Sequence, residues 1–115
     1  MLKFSVIIPT RDRPSELAMC LKSFTALNYP AGAWELIVVN DGGARSFAAM
    51  TRDLKQALPL RLVNTDYAGP AAARNIGTNL ARGDYLAFTD DDCYVAPDWL
   101  ISFAKGFEMG NFTVD

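Results

Sequence analysis

Two rhythms of apolar residues alternate along the chain. Phe4-Ser5-Val6-Ile7-Ile8 is β-branched and nearly continuous in apolar character, which marks a strand covered on both faces. It stops at Pro9, which cannot donate to a sheet ladder. Glu35-Leu36-Ile37-Val38-Val39 reads as a second buried strand, Leu60-Arg61-Leu62-Val63-Asn64 as a third, and Tyr85-Leu86-Ala87-Phe88 as a short, buried fourth. Between these runs the spacing becomes helical. After Pro14-Ser15-Glu16, with proline near a first turn, Leu17, Cys20, Leu21 and Phe24 fall on one face. Phe47, Met50, Leu54 and Leu58 mark a second helix closed by Pro59. A third, rich in small residues, runs from Pro70 with Ile76 and Leu80 as its inner face and ends at Arg82-Gly83-Asp84. A fourth spans about Pro97 to Glu108, with Leu100, Phe103, Ala104 and Phe107 on one side.

Strand and helix in strict alternation predict an α/β fold, a mostly parallel, Rossmann-like sheet with helices on both faces. In the usual strand order 3-2-1-4, ligands bind beyond the carboxyl ends of the strands, where the order reverses. Residues 1–115 read as one domain. Gly110-Asn111-Phe112-Thr113-Val114-Asp115 reads as a chain leaving its last helix for something further on, so the expectation is a piece of a longer protein.

Composition narrows the function. With 115 residues, half of them apolar, one real core can form. Lys and Arg number 11 against 13 Asp and Glu, and no basic run stands out, which argues against a nucleic-acid partner. No apolar run is long enough to span a bilayer, and the N-terminus lacks a secretion signal. Cys20 and Cys93 suggest neither a disulfide framework nor a zinc site, so reduced thiols in the cytoplasm are the default. There is no histidine. That removes Ser-His and Cys-His nucleophile pairs and histidine bases, so acid–base or metal chemistry within these residues falls to carboxylates.

Polar residues gather at the predicted strand ends. The first strand delivers Pro9, Thr10, Arg11 and Asp12, the second Asp41, and the fourth Asp90, Asp91 and Asp92. Two unit charges about 4 Å apart repel by ~1 kcal/mol in water and ~4 kcal/mol at an effective dielectric near 20. An acidic triplet after an apolar strand is therefore either a solvated turn or a site for a hard cation, Mg2+ or Mn2+, which favours carboxylate oxygens. Asp41 either accepts hydrogen bonds from its own turn or meets a base or ribose. Arg74 is either solvated or, just after a Gly-Pro loop, reaches a phosphate or base bidentately. Asp12 most economically caps the first helix. Gly77 and the alanines before it allow close helix–sheet packing, Cys93 reads as a small filler, and Trp34 and Trp99 as core or pocket-edge residues. Neither G-x-x-x-x-G-K-[ST] nor G-x-G-x-x-G occurs. A bound diphosphate would need the cation at the triplet, helped by an arginine, which suits a nucleotide diphosphate as leaving group.

Ser5-Val6-Ile7-Ile8-Pro9-Thr10-Arg11-Asp12-Arg13-Pro14 and Leu36-Ile37-Val38-Val39-Asn40-Asp41-Gly42-Gly43 resemble the opening of family 2 glycosyltransferases with the GT-A fold. Gly69-Pro70-Ala71-Ala72-Ala73-Arg74-Asn75-Ile76-Gly77, Gly83-Asp84-Tyr85-Leu86-Ala87-Phe88-Thr89-Asp90-Asp91-Asp92-Cys93 and Pro97-Asp98-Trp99-Leu100 extend the resemblance in order. It implies a nucleotide-sugar donor site, most often for a UDP-sugar. Pro9, Thr10 and Arg11 would line the nucleoside pocket, Asp41 would hold the base, and Arg74 would approach the base or diphosphate. Asp90 and Asp92 match the family's Asp-x-Asp pair, with Asp92 the direct ligand of Mn2+ or Mg2+ and Asp90 or Asp91 facing the ribose. Members typically transfer sugar with inversion to a saccharide or lipid-linked acceptor, whose hydroxyl a carboxylate deprotonates. That base and the acceptor-binding part come later than residue 115 in the family, so this piece alone is expected to transfer little sugar. Downstream parts could hold it at the cytoplasmic face of a membrane. The family often has an aromatic residue and Asn where Arg11 and Asp12 stand, and a frequent Asp is Asn40 here.

Two other classes fit less well. A sugar-nucleotide-forming nucleotidyltransferase would want a glycine-rich loop after the first strand, where Ile8-Pro9-Thr10-Arg11 stands. A receiver-like, magnesium-binding signalling module would need acidic residues after the first strand and a target Asp after the third, where Pro9-Thr10 and Asn64-Thr65 stand.

Overall fold

The computed structural model describes residues 2–108. Gly110 to Asp115, and with them the expected departure of the chain, lie outside the described residues. In order, the elements are β1 (Phe4–Thr10), α1 (Pro14–Phe24), β2 (Trp34–Asp41), α2 (Ala48–Leu54), β3 (Leu60–Thr65), α3 (Pro70–Leu80), β4 (Tyr85–Phe88) and α4 (Trp99–Glu108). The four strands form one parallel sheet in the order β3-β2-β1-β4. The register runs Val6 beside Leu36 and Ala87, and Leu36 beside Leu60.

β1 lies between two strands, so its unbroken apolar run meets helices above and below. Val6, Ile7 and Ile8 have no exposed surface. Phe4, Val6 and Ile8 face the larger core, with Leu17, Cys20, Leu21 and Phe24 of α1, Phe47 ahead of α2, and Leu100 and Ala104 of α4. Phe24 links the two tryptophans here, stacking on Trp34 and meeting Trp99 edge-on. On the opposite face Ile7, Ile37 and Val39 receive Ala73 of α3. Glycine brings that helix close: a Cβ on Gly77 would lie 2.6 Å from Ile7 Cγ2. The chain thus crosses from β3 over the sheet through α3 to β4, leaving the reversal of strand order between β1 and β4.

Several expectations change. Leu80 is 39% exposed and does not belong to the inner face of α3. Ala73 and Gly77 make the contact, with Ile76 alongside. The last turn reaches a part of the sheet floored by polar groups, where the Arg61 guanidinium meets both Glu35 and the Leu80 carbonyl. β4 is not buried on both faces. Among the described residues it is an edge strand, and Leu86 and Phe88 remain 41% and 46% exposed on the α3 side, because α3 packs on β1 and β2. α2 stops at Leu54, with Leu58 buried in the turn that follows, and α4 begins at Trp99.

Candidate functional site

Pro9, Thr10, Arg11, Asp41, Arg74, Asp90, Asp91 and Asp92 all line one cleft of about 350 Å³ at the carboxyl ends of the strands. Arg13, Tyr67 and Pro70 complete its wall. The parallel register explains the convergence. β1 and β2 end side by side at Thr10 and Asn40, and Phe88 of β4 pairs with Ile7, so the following turn arrives beside Thr10.

Within the acidic triplet the three carboxylates take different positions. The Cys93 N–H donates to the Asp90 carbonyl at 3.2 Å, closing a turn over residues 90–93. Asp91 points inward and is 5% exposed. Its carboxylate accepts the Thr10 hydroxyl at 2.9 Å and lies 3.5 Å from Arg13. Burial raises its proton affinity above the ordinary carboxylate value, and the Thr10 hydrogen bond and Arg13 charge only partly offset this. Asp90 and Asp92 are exposed, and with the Cys93 sulfur their ligand atoms lie within 4.8 Å of one another. Two carboxylates and a thiol so grouped fit a divalent cation, the carboxylates suiting Mg2+ or Mn2+.

The electrostatic cost of the triplet is relieved by arginine. Arg74 lies 3.4 Å from Asp90, and Arg13 lies 3.4 Å from Asp92 while also facing Asp91. Asp91 foremost raises the Arg13 pKa; burial opposes it, and Asp92 and Glu16 add to the rise. Cys93 is exposed on this rim, so the small-filler reading does not hold; the turn projects it toward Asp92 rather than into the core. Cys20 fills that role beneath, donating to the Asp90 carbonyl at 3.6 Å. Burial, with lesser help from Cys93 and the nearby aspartates, pushes its thiol up to about 12.

Asp41 is buried, and its carboxylate reaches across to the loop before α3. Oδ1 accepts the Ala68 N–H at 2.8 Å and Oδ2 the Gly69 N–H at 3.1 Å. Gly42 makes the approach possible. Its φ is +68°, and a Cβ there would lie 2.2 Å from the Tyr67 backbone nitrogen. Tyr67 beyond is 63% exposed, with the Arg11 guanidinium carbon 4.6 Å from its ring centroid. Asp12 does not cap α1. Its left-handed backbone, φ +52°, turns the carboxylate toward the β2–α2 loop, where it accepts the Arg45 N–H at 2.9 Å; Arg13 holds the cap position without a side-chain bond. Sequence pattern alone gives no role to Arg13 or Tyr67. The available signals are a cation near three carboxylates and an aromatic residue in a polar loop.

The family model described as glycosyl transferase family 2 matches residues 5–114. The chain belongs to this family. Among its relatives is the glycosyltransferase AglE of Haloferax volcanii, 33% identical over 98 residues, a stretch that covers 84% of this chain and 32% of AglE. Among solved structures, Staphylococcus aureus TarS 1–349 in complex with UDP-GlcNAc superposes with a TM-score of 0.88 at 25% identity, over 96% of this chain and 32% of that one. The mannosyltransferase PcManGT from Pyrobaculum calidifontis, in complex with GDP-Man and Mn2+, gives 0.82 at 27% identity, over 90% and 32%. The sheet order and flanking helices are thus those of GT-A glycosyltransferases. The chain spans about a third of the length of AglE, of TarS 1–349 and of PcManGT. Among the described residues no helix is long and apolar enough to cross a membrane.

Proposed function

We propose that residues 1–115 are the donor-binding portion of a longer, cytoplasmic, metal-dependent glycosyltransferase that transfers sugar with inversion from a nucleotide diphosphate to a saccharide or lipid-linked acceptor. One observation carries this reading. Outward carboxylates of Asp90 and Asp92, two arginines and the Asp41 loop share a single cleft at the point where strand order reverses. The nucleotide sugars held by the two structural neighbours support it.

Asp92, with Asp90, would hold Mn2+ or Mg2+ as an Asp-x-Asp pair. Bound there, the cation supplies charge neutralisation for a departing diphosphate. Asp91 keeps its inward place and anchors the turn through Thr10. Arg74 and Arg13, paired with these carboxylates, become available to phosphate oxygens once the carboxylates are otherwise neutralised, and the guanidinium fork suits that contact. Pro9, Thr10 and Arg11 line the nucleoside end, and Asp41 stiffens the loop across from them while facing the base. The base that deprotonates the acceptor belongs to the chain beyond residue 115, so this piece alone transfers little or no sugar.

Calorimetric titration tests the reading. UDP is expected to bind when Mn2+ or Mg2+ is present, and not after chelation or in Asp92→Ala. At a hundred times its dissociation constant it should stabilise the fold by ~2.7 kcal/mol. Metal-independent binding of equal strength would overturn the metal assignment, and sugar transfer by the 115-residue chain would overturn its inactivity.

A further inference from the structure

Tyr67 contributes to neither apolar cluster among the described residues, yet its position is closely fixed. The two amides that follow it, of Ala68 and Gly69, are both held by the Asp41 carboxylate. Its own backbone nitrogen sits where a Cβ on residue 42 would be, so only glycine permits the approach. The Arg11 guanidinium, arriving from the end of β1, lies over its ring. A residue whose backbone is fixed by the end of β2, whose ring meets an arginine from the end of β1, and which lines the cleft while still 63% exposed serves something other than the core.

Resting on the donor-site reading above, we propose that Tyr67, with Arg11, is the nucleobase-stacking shelf of that site. A planar heteroaromatic packs on a tyrosine face, and a guanidinium plane stacks equally well on a base. The geometry also says how the base is read. Both Asp41 oxygens already accept amides, which leaves less capacity for reading a base edge. The shelf reads a face, which every base possesses, so uridine and guanosine diphosphates both depend on it. Asp41 acts on the base chiefly as a positioning residue, by fixing the loop that carries the ring.

The test measures binding of UDP, GDP and inorganic pyrophosphate to the full chain, each with Mn2+, for wild type, Tyr67→Ala and Tyr67→Phe. Loss of the ring is expected to weaken UDP and GDP by about ten-fold, the scale of one base–aromatic stack. Pyrophosphate, which has no base, should bind all three alike, and Tyr67→Phe should match wild type. In the NMR spectrum, wild-type protein should shift the base protons of UDP upfield through the ring current, and Tyr67→Ala should not. Unchanged UDP affinity in Tyr67→Ala overturns the shelf and leaves the donor site standing. An equal loss of pyrophosphate overturns it too, since the ring would then serve the cleft's fold. If wild type binds neither nucleotide, the donor-site reading fails and the shelf with it.

Discussion

At the foot of the sheet, Ser5 has no exposed surface, yet its hydroxyl is fully used. It donates to Glu35 at 2.6 Å and accepts the Gly83 N–H at 2.8 Å. Glu35 also accepts the Arg82 N–H at 2.6 Å and pairs with Arg61 at 3.5 Å. Burial alone would raise the proton affinity of Glu35, but the hydrogen bonds from Ser5 and Arg82 and the two arginine charges outweigh it, and the pKa falls below the ordinary 4.5. A carboxylate with a lower pKa folded than unfolded stabilises the fold above about 4.5, and that contribution is lost as pH drops through the folded value. Urea denaturation should therefore show wild type losing stability over this range faster than Glu35→Gln; parallel curves would deny the linkage. Ser5→Ala takes the Gly83 N–H's acceptor away and removes one of the hydrogen bonds to Glu35, and should cost about 1–3 kcal/mol at neutral pH. The two thiols give a second contrast. Cys20, buried and pushed up to about 12, should resist alkylation at pH 7 while exposed Cys93 reacts. One labelled thiol per native chain and two after denaturation are expected, and rapid native labelling of Cys20 would contradict the packing.

Among the elements, α3 is held most tightly by something it lacks. Replacing Gly77 with alanine favours the helix by about 1 kcal/mol. It also forces a methyl to within 2.6 Å of Ile7 Cγ2, on a side chain with no exposed surface and a branched Cβ that cannot swing aside. Overpacking of this kind costs about 1–3 kcal/mol. The clash should win, so Gly77→Ala is expected to lower the urea midpoint, and a rise would mean the sheet can yield. This contact was foreseeable from Ala71-Ala72-Ala73 and Gly77, as the α1 stripe was from Leu17, Cys20, Leu21 and Phe24, because local spacing decides both. Order and crevice also followed from the alternation of elements. What local pattern could not reveal depended on distant neighbours. Leu80 keeps helical phase with the core side but ends above Ser5, Glu35 and Arg61, and Leu86 alternates correctly in a strand that proves to be an edge. Asp12 has a capping residue's chemistry in a backbone conformation that turns it elsewhere. In the cleft, the strand-end residues were legible, whereas Arg13 and Tyr67 gain meaning only when their loops meet Asp91, Asp92 and Arg11.

For the molecule as a whole, the sheet has two edges among the described residues, and they differ. β3 has α2 packed against it, whereas β4, paired among the described residues with β1, carries Leu86 and Phe88 exposed on the α3 side. Leu80 adds a third exposed apolar side chain. Unpaired strand edges next to apolar surface recruit other strands, and a charged side chain on the edge is the usual deterrent. Here the strand itself, Tyr85 to Phe88, bears no such charge, the nearest being Asp84 before it and Asp90 after it. The 115-residue chain by itself is therefore expected to associate as its concentration rises, read as a growing sedimentation coefficient. Leu86→Lys should restore the monomer with an unchanged far-UV spectrum, because Leu86 stands opposite Ser5 on the open side and supports little of the core. A wild-type chain monomeric throughout would mean that this edge is harmless. The outcome bears on the cleft as well: β4 runs directly into the turn carrying Asp90 and Asp92, so strands that pair with it also restrain that turn. If association occurs through β4, metal-dependent UDP affinity should differ between wild type at high concentration and the Leu86→Lys monomer, although residue 86 lies outside the cleft.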